Sequence, residues 1–475
     1  MSDGNVKTVY MMGIGGIAMG TLATMLKEKG YFVVGSDVNL YPPMSDHLES
    51  LHIPLFKGYN AENLSKYPPD LVIIGNVIRR ENAEAQQVLN QGIPYLSMPE
   101  AISRFFLCKH QSIVVAGTHG KSTTSSLLSW ILTYAGLDPS TFVGAFLKNC
   151  ERSYRIGNGR YMVLEGDEYD TAFFDKGSKF LHYRPHIGII TSIEYDHADI
   201  FPNFEAVLSA FHRFAQLIAP SDYLIINADD PHCLEVGRNC KGKVLTYGWS
   251  DKAQWRIHEV EFRPEEIRFT YQSPHSATPG SMISHLPGRH NVSNILGIMA
   301  AADIAGISME TFQEALLKFP GVKRRQDLIG ETKGVLIMDD FAHHPTAVKE
   351  TIDALKLFYP QRRLIAAFEP RTNTSRRSVF HSAYTSAFDG ADCICIKQPQ
   401  GMESISPQER LDAKKLVQDI VLRGKEAHYF STTEELIEFL SRYCASNDLV
   451  LCMSNGSFDG LPGRLLEQLS QQSQI

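Results

Sequence analysis

Residues Gly117-Thr118-His119-Gly120-Lys121-Ser122-Thr123 follow the apolar run Ser112-Ile113-Val114-Val115-Ala116 and precede a helical pattern from Thr124 to Tyr134. Strand, glycine-rich turn and helix in that order suit phosphate groups. Glycines let backbone N–H groups approach the oxygens and the helix N-terminus adds partial positive charge. Lys121 can neutralise β and γ phosphates, and the Ser122 hydroxyl can ligate magnesium. The spacing GxxGKS is shorter than GxxxxGKS, so pattern alone leaves open an ordinary turn with a solvated lysine. The context makes it a nucleotide-phosphate site.

Two polar strings follow other apolar runs. Leu164-Glu165-Gly166-Asp167-Glu168-Tyr169-Asp170 carries four carboxylates, and oxygen ligands at a strand end beside a phosphate loop suit a hard cation such as magnesium. Thr191-Ser192-Ile193-Glu194-Tyr195-Asp196-His197-Ala198-Asp199 adds His197, either a metal ligand or the donor of a local hydrogen bond. Near the N-terminus, Gly13, Gly15 and Ala18 fit GxGxx(G/A), and Asp37 ends the second strand. That pattern sets a diphosphate on a helix N-terminus without saying whose it is.

Further on, Pro287-Gly288-Arg289-His290-Asn291-Val292-Ser293-Asn294 places two asparagines at a helix start, to cap it or to present amides to a base. Asp339-Asp340-Phe341-Ala342-His343-His344-Pro345 is another polar turn. Glu369-Pro370-Arg371-Thr372-Asn373-Thr374-Ser375-Arg376-Arg377 is a third, its basic cluster suited to carboxylates or phosphates or simply solvated.

The elements that must position these residues form three α/β units. Apolar runs at 6–12, 31–34 and 71–74 predict the strands of the first. Those at 112–116, 162–164, 187–190 and 223–226 belong to the second, followed by antiparallel alternation over 255–285 and a helix over 292–305. Runs at 335–338, 364–368, 393–396 and 449–453 make the third, after a break at Phe319-Pro320-Gly321-Val322. Strands alternating with helices of this length predict parallel sheets with crossover helices.

The 475 residues are 43% hydrophobic and 21% charged, with a net charge of -7. Such a chain buries sizeable cores, and the lack of a basic block argues against nucleic acid or an anionic membrane surface as partner. Met1-Ser2-Asp3-Gly4 opens no secretory signal and no run of 18 apolar residues exists, so the expected location is the cytoplasm. Eight scattered cysteines, with no CxxC pair, are expected to be free thiols.

In order, GxGGxxMG at 13–20, Gly35-Ser36-Asp37, GTHGKST, the DExD of 167–170, DHxD at 196–199, PGRHNxxN at 287–294, GVKRR at 321–325 and DDxxHHPT at 339–346 resemble the Mur ligase family of peptidoglycan synthesis across essentially the whole chain. The strings Tyr41-Pro42-Pro43-Met44-Ser45, 168–176, 196–201, 340–345 and Ser454-Asn455-Gly456 resemble its tripeptide-adding, murein-recycling branch. An L-alanine-adding sister branch is the alternative. A nicotinamide-dependent dehydrogenase would leave GTHGKST unused, and a non-catalytic nucleotide module would leave the acidic and histidine strings unexplained.

The resemblance implies a Rossmann-like UDP-sugar-binding domain over 1–109, a central P-loop ATPase-like domain over 110–321, and a Rossmann-like C-terminal domain over 322–475 that closes on ATP and binds the peptide. It implies ATP and magnesium as cofactors, UDP-N-acetylmuramate and murein tripeptide as substrates, and an acyl phosphate between them. By position, Lys121, Glu168 and His197 are implied to be catalytic, with Ser122, Glu168 and His197 on the metal. Gly117, Thr118, His119, Gly120, Lys121, Ser122, Thr123, His290, Asn291, Asn294, Arg325 and Asp340 would hold ATP. Gly15, Gly16 and Asp37 would hold the uridine nucleotide, and His344, Arg371 and Arg377 the remaining substrate. Ser122 stands where the family usually has Thr, Gly166 where it has Ala, and Ser192 where Asn is common. No lysine lies between Lys179 and Lys241, so the carbamylated lysine of several relatives is not expected.

Overall fold

Strands apolar on both sides need covering on both sides, and the three large sheets are flanked by helices, a two-stranded pair of Asp170–Ala172 and Asp175–Ser178 standing apart. The computed structural model describes residues 6–42, 44–148 and 152–471. The residues read for a secretory signal, Pro43 of the Tyr41 string and Cys150 lie outside them. The first sheet is wholly parallel, in the order Leu55–Lys57, Phe32–Asp37, Thr8–Met12, Leu71–Ile74, Tyr95–Ser97. Strand order reverses at Thr8–Met12, and the glycine turn leaves the C-terminal end of that strand, where ligands of such sheets bind.

The central sheet has ten strands. In it Gln111–Ala116 lies between Ile187–Ile190 and Tyr161–Gly166, parallel to both. The phosphate loop, the Thr191 string and the acidic string therefore leave one edge of the sheet side by side. Trp255–Arg263, Glu266–Gln272 and Gly280–Ser284 pair antiparallel, as the alternation predicts. At the other end, Ser140–Leu147 and Arg152–Arg155 form an antiparallel pair that the sequence reading missed.

Six strands build the third sheet, in the order Asp327–Thr332, Val335–Asp340, Asp448–Met453, Arg363–Phe368, Cys393–Lys397, Glu426–Phe430. It departs from the all-parallel expectation at its first strand, which runs antiparallel to Val335–Asp340. Lys333 (φ 51) and Gly334 (φ 76) make the two-residue turn, with positive φ at both positions as that tight hairpin demands. Leu328 and Ile329 on this edge strand are 49% and 37% exposed, so no buried apolar run announces it.

Two helices begin earlier than expected. One is Lys121–Tyr134, because Gly120 (φ 79) serves as its left-handed N-cap. The other is Arg289–Ile304, capped by Gly288 without a side-chain hydrogen bond, so neither Asn291 nor Asn294 caps it. The described cysteines, 108, 233, 240, 393, 395, 444 and 452, are free.

Candidate active site

Gly117 takes φ +131, and a Cβ there would lie 2.1 Å from Thr191 Oγ1. Only glycine lets the phosphate loop pack this closely on the neighbouring strand end. Hydrogen bonds then lock the two: Thr118 N donates to Ser192 O (2.9 Å), His119 N to Ser192 Oγ (3.1 Å) and Glu194 N to Thr118 Oγ1 (2.9 Å). Ser192, one of the three departures from the family pattern, thus accepts a backbone hydrogen through its side chain.

Lys121 reaches across the loop. Its Nζ donates to both Glu168 oxygens at 2.9 and 3.1 Å and to Gly117 O at 2.6 Å. Burial opposes its charge, but Glu168, with Asp167 and Glu165, raises its pKa. Glu168 is 2% exposed, and His197 Nε2 lies 3.3 Å from its Oε1. Burial likewise opposes an imidazolium at His197, yet the hydrogen bond and charge of Glu168, with Asp196 and Asp167, push it up to about 9. His197 also holds φ 55, and its backbone N donates to its neighbour Asp196 Oδ1 at 2.6 Å. Such left-handed backbone at a non-glycine residue concentrates at functional sites.

Asp167, Glu168 and His197 offer ligand atoms within 4.8 Å of one another. Two carboxylates and an imidazole, with a buried carboxylate answered only by cations, fit a divalent metal. Ser122 stands beside the same acidic string. Its hydroxyl donates to Glu165 Oε1 (2.9 Å) and accepts from Arg325 Nη2 (3.0 Å). Asp167 and Glu165 lay in the acidic string, but nothing in the string told which carboxylate faced which partner.

Three expected residues of the C-terminal part come to the phosphate loop. Arg325 does so through Ser122. His344 caps Pro345–Phe358 by accepting from Thr346 N (3.3 Å), with its ring 4.8 Å from that of His119. Asp340, buried, accepts from Gln326 N and Ala342 N at 2.7 Å each and lines a cavity with His119, Gly120, Thr123, His290, Asn291 and Arg325. Asn291 Nδ2 donates to Pro287 O at 2.7 Å. Asn294 lines an adjoining cavity with Trp249 and Arg289, whose guanidinium sits 3.9 Å over the Trp249 ring. Sequence reasoning missed that stacked pair, which carries no local signature.

Glu194, quoted in the Thr191 string without a role, joins the parts. It accepts from Thr346 Oγ1 (2.7 Å) and lies 3.1 Å from His119 Nε2. Burial favours its neutral form, but His119 and Thr346 hold its pKa down to about 2. In the basic loop the arginines have carboxylate neighbours. Arg371 lies 3.7 Å from Glu369 and Arg377 pairs with Glu409 within its own sheet's loops. Asn373 makes the crossing contact, donating to Asp199 at 3.0 Å.

In the N-terminal part Gly15 N donates to Asp37 Oδ2 at 2.9 Å. A Cβ on Gly15 would meet Asn39 O at 2.6 Å. Gly15, Gly16, Asp37 and Tyr59 line one cavity, and Lys121, Ser122, Glu165, His197 and His344 another. The two share Ala18, Met98 and Lys179.

Family models match the three parts: Mur ligase family, catalytic domain, at 8–109; Mur ligase middle domain at 115–302; and Mur ligase, glutamate ligase domain, at 324–456. The chain belongs to the Mur ligase family, and is an ATP-dependent, amide-bond-forming ligase. Relatives named UDP-N-acetylmuramate–L-alanyl-γ-D-glutamyl-meso-2,6-diaminoheptandioate ligase are 34% identical in Haemophilus influenzae (98% of this chain, 99% of the relative) and 35% identical in Escherichia coli (98% and 99%). A UDP-N-acetylmuramate–L-alanine ligase of Alkaliphilus metalliredigens is 33% identical, covering 96% of each chain. The solved murein peptide ligase of Psychrobacter arcticus is similar over 98% of this chain and 99% of its own, at 31% identity and TM-score 0.72. Among the described residues no helix is long and apolar enough to cross a membrane.

Proposed function

We propose that the chain joins the L-alanine amine of L-alanyl-γ-D-glutamyl-meso-diaminopimelate to the lactyl carboxylate of UDP-N-acetylmuramate, converting ATP to ADP and phosphate. The product is the UDP-linked tripeptide from which murein is rebuilt. Near-full-length identity of 34–35% to two ligases of that name supports the substrates. The observation that carries the chemistry is the Lys121–Glu168–His197 centre, set in a cavity that adjoins the glycine-turn cavity through shared lining residues.

The lactyl carboxylate attacks the γ-phosphorus and ADP leaves, giving an acyl phosphate. The amine then attacks the acyl carbon, a tetrahedral intermediate forms, phosphate departs, and the nitrogen loses a proton. In the first step two anions must meet. Lys121 and the amides of the loop 117–123 gather the ATP phosphates, and the loop's fixed hydrogen bonds hold them in line. Magnesium, held by Glu168 and His197 with Ser122 or Asp167, would supply further positive charge between the reactants. Arg325 and Asp340 close over ATP from the C-terminal domain, while His290, Asn291 and Asn294 face its base. Gly15, Gly16 and Asp37 hold the uridine nucleotide. His344, Arg371 and Arg377 bind the remaining substrate, the two arginines as carboxylate contacts. In this reading the domains divide at 109/110 and 321/322.

Phosphate release from ATP and UDP-N-acetylmuramate, measured with the tripeptide and separately with L-alanine, tests the proposal. Turnover with the tripeptide is expected. Turnover only with L-alanine would assign the chain to the sister reaction.

A further inference from the structure

The two cavities meet at a neck lined by Ala18, Met98 and Lys179. Ala18 lies in the first turn of Ile17–Glu28 and Met98 opens Met98–Phe105. Lys179 is the charged residue of the three, and its backbone is pinned. Lys179 N donates to Tyr169 O (3.1 Å), Phe180 N donates to Asp167 O (3.2 Å), and the Phe180 side chain is fully buried in the core. Its Nζ lies 2.6 Å from Asp167 Oδ2 with the side chain 15% exposed. The ammonium therefore sits at the reaction end of the neck.

A UDP-sugar acid that rests its diphosphate on the N-terminus of Ile17–Glu28 can bring its carboxylate toward Lys121 by passing these shared lining residues. That carboxylate enters a centre already holding Glu165, Asp167 and Glu168. Lys121 is engaged by Glu168 and the carbonyl of Gly117, and His197 by Glu168. Among the described residues Lys179 pairs with one carboxylate, Asp167, with its Nζ 5.4 Å from the Tyr169 ring centroid, and it borders the passage. We propose that Lys179 binds the lactyl carboxylate of UDP-N-acetylmuramate and orients it toward the phosphate loop, an inference that rests on the substrate reading above.

Calorimetric titration without ATP separates the sources of anionic oxygen. UDP-N-acetylmuramate is compared with UDP-N-acetylglucosamine, which has the same diphosphate and amino sugar but no lactyl carboxylate. Lys179→Met should weaken binding of the first about 10- to 100-fold, the scale of a lost charge-assisted hydrogen bond, and of the second by less than about threefold. Lys179→Arg should recover most of the loss. The double variant Lys179→Met/Asp167→Asn removes both charges, so an unpaired Asp167 does not confuse folding with binding. Equal weakening of both ligands would place Lys179 on the diphosphate, and no weakening of either would leave it as the partner of Asp167; each overturns the proposal. Failure of the unsubstituted protein to bind UDP-N-acetylmuramate would instead overturn the substrate reading.

Discussion

Arg325 Nη2 donates to the Ser122 hydroxyl at 3.0 Å across 203 positions of sequence. The phosphate-loop helix thus begins under a guanidinium from the last domain, while the same hydroxyl donates to Glu165. Burial disfavours that guanidinium's charge and lowers its pKa, and Asp340 and Glu165 oppose the effect. Cation, hydroxyl and carboxylate come together only when the last domain lies over the loop.

Arg325→Ala should lower kcat/KM for ATP about 100-fold, the usual cost of one aimed donor at a phosphoryl centre, with the circular dichroism spectrum unchanged. Arg325→Lys should recover little, since an ammonium lacks the planar fork. Steady-state phosphate release checks both. Activity within a few-fold of the parent would remove Arg325 from the site.

Glu168→Gln should cost about 1000-fold in turnover. It should also bring the His197 titration down from about 9, because burial then acts against the imidazolium with less opposing charge. NMR of the imidazole protons reads this directly. An unmoved titration would mean that Asp196 and Asp167 hold the charge.

His344 predicts a pH dependence of stability. Burial first, then the neighbouring His119, pushes it down to about 4, against an unfolded value of about 6.5. The unfolded chain then binds more protons between these limits. His344 thus contributes stability that is complete above about pH 6.5 and is lost as pH falls through 4, roughly 3 kcal/mol in all. His344→Asn keeps a capping side chain without the titration, so its urea midpoint should fall less between pH 7 and pH 4. His343, also pushed down to about 4 by burial, leaves part of the slope in place. Parallel midpoint curves for the two proteins would contradict the assignment.

Gly15→Ala should weaken UDP-N-acetylmuramate binding at least about 10-fold while leaving ADP binding unchanged. The added Cβ would sit 2.6 Å from Asn39 O and 3.0 Å from Asp37 Oδ2, the carboxylate that accepts from Gly15 N. Calorimetry with each nucleotide decides. Equal loss for both would point to a general folding defect.

Much of the site was legible because its pieces are local. Strand, glycine turn, lysine and hydroxyl stand in one string at 112–123, so backbone geometry alone links Lys121 to a phosphate site. The acids at 165–170 lie at or just past the end of one strand and His197 follows another, and both strands flank Gln111–Ala116. Less legible were edge strands such as Asp327–Thr332, which are half-exposed and lack a buried run. Arg377 illustrates the limit: a basic cluster in sequence suits many anions, and only folding shows Glu409 beside this one.

By itself the sequence determined the three α/β units, the phosphate loop and, through the order of its motifs, the family. Period, turn chemistry and residue spacing are short-range properties that need no knowledge of neighbours. Only the tertiary structure decided that Glu168 pairs with Lys121 and His197, that Ser122 faces Glu165 and Arg325, and that Lys179 stands between two cavities. Partner choice among several carboxylates depends on angstrom-scale distance and burial, and these are fixed only when distant strand ends and domains pack.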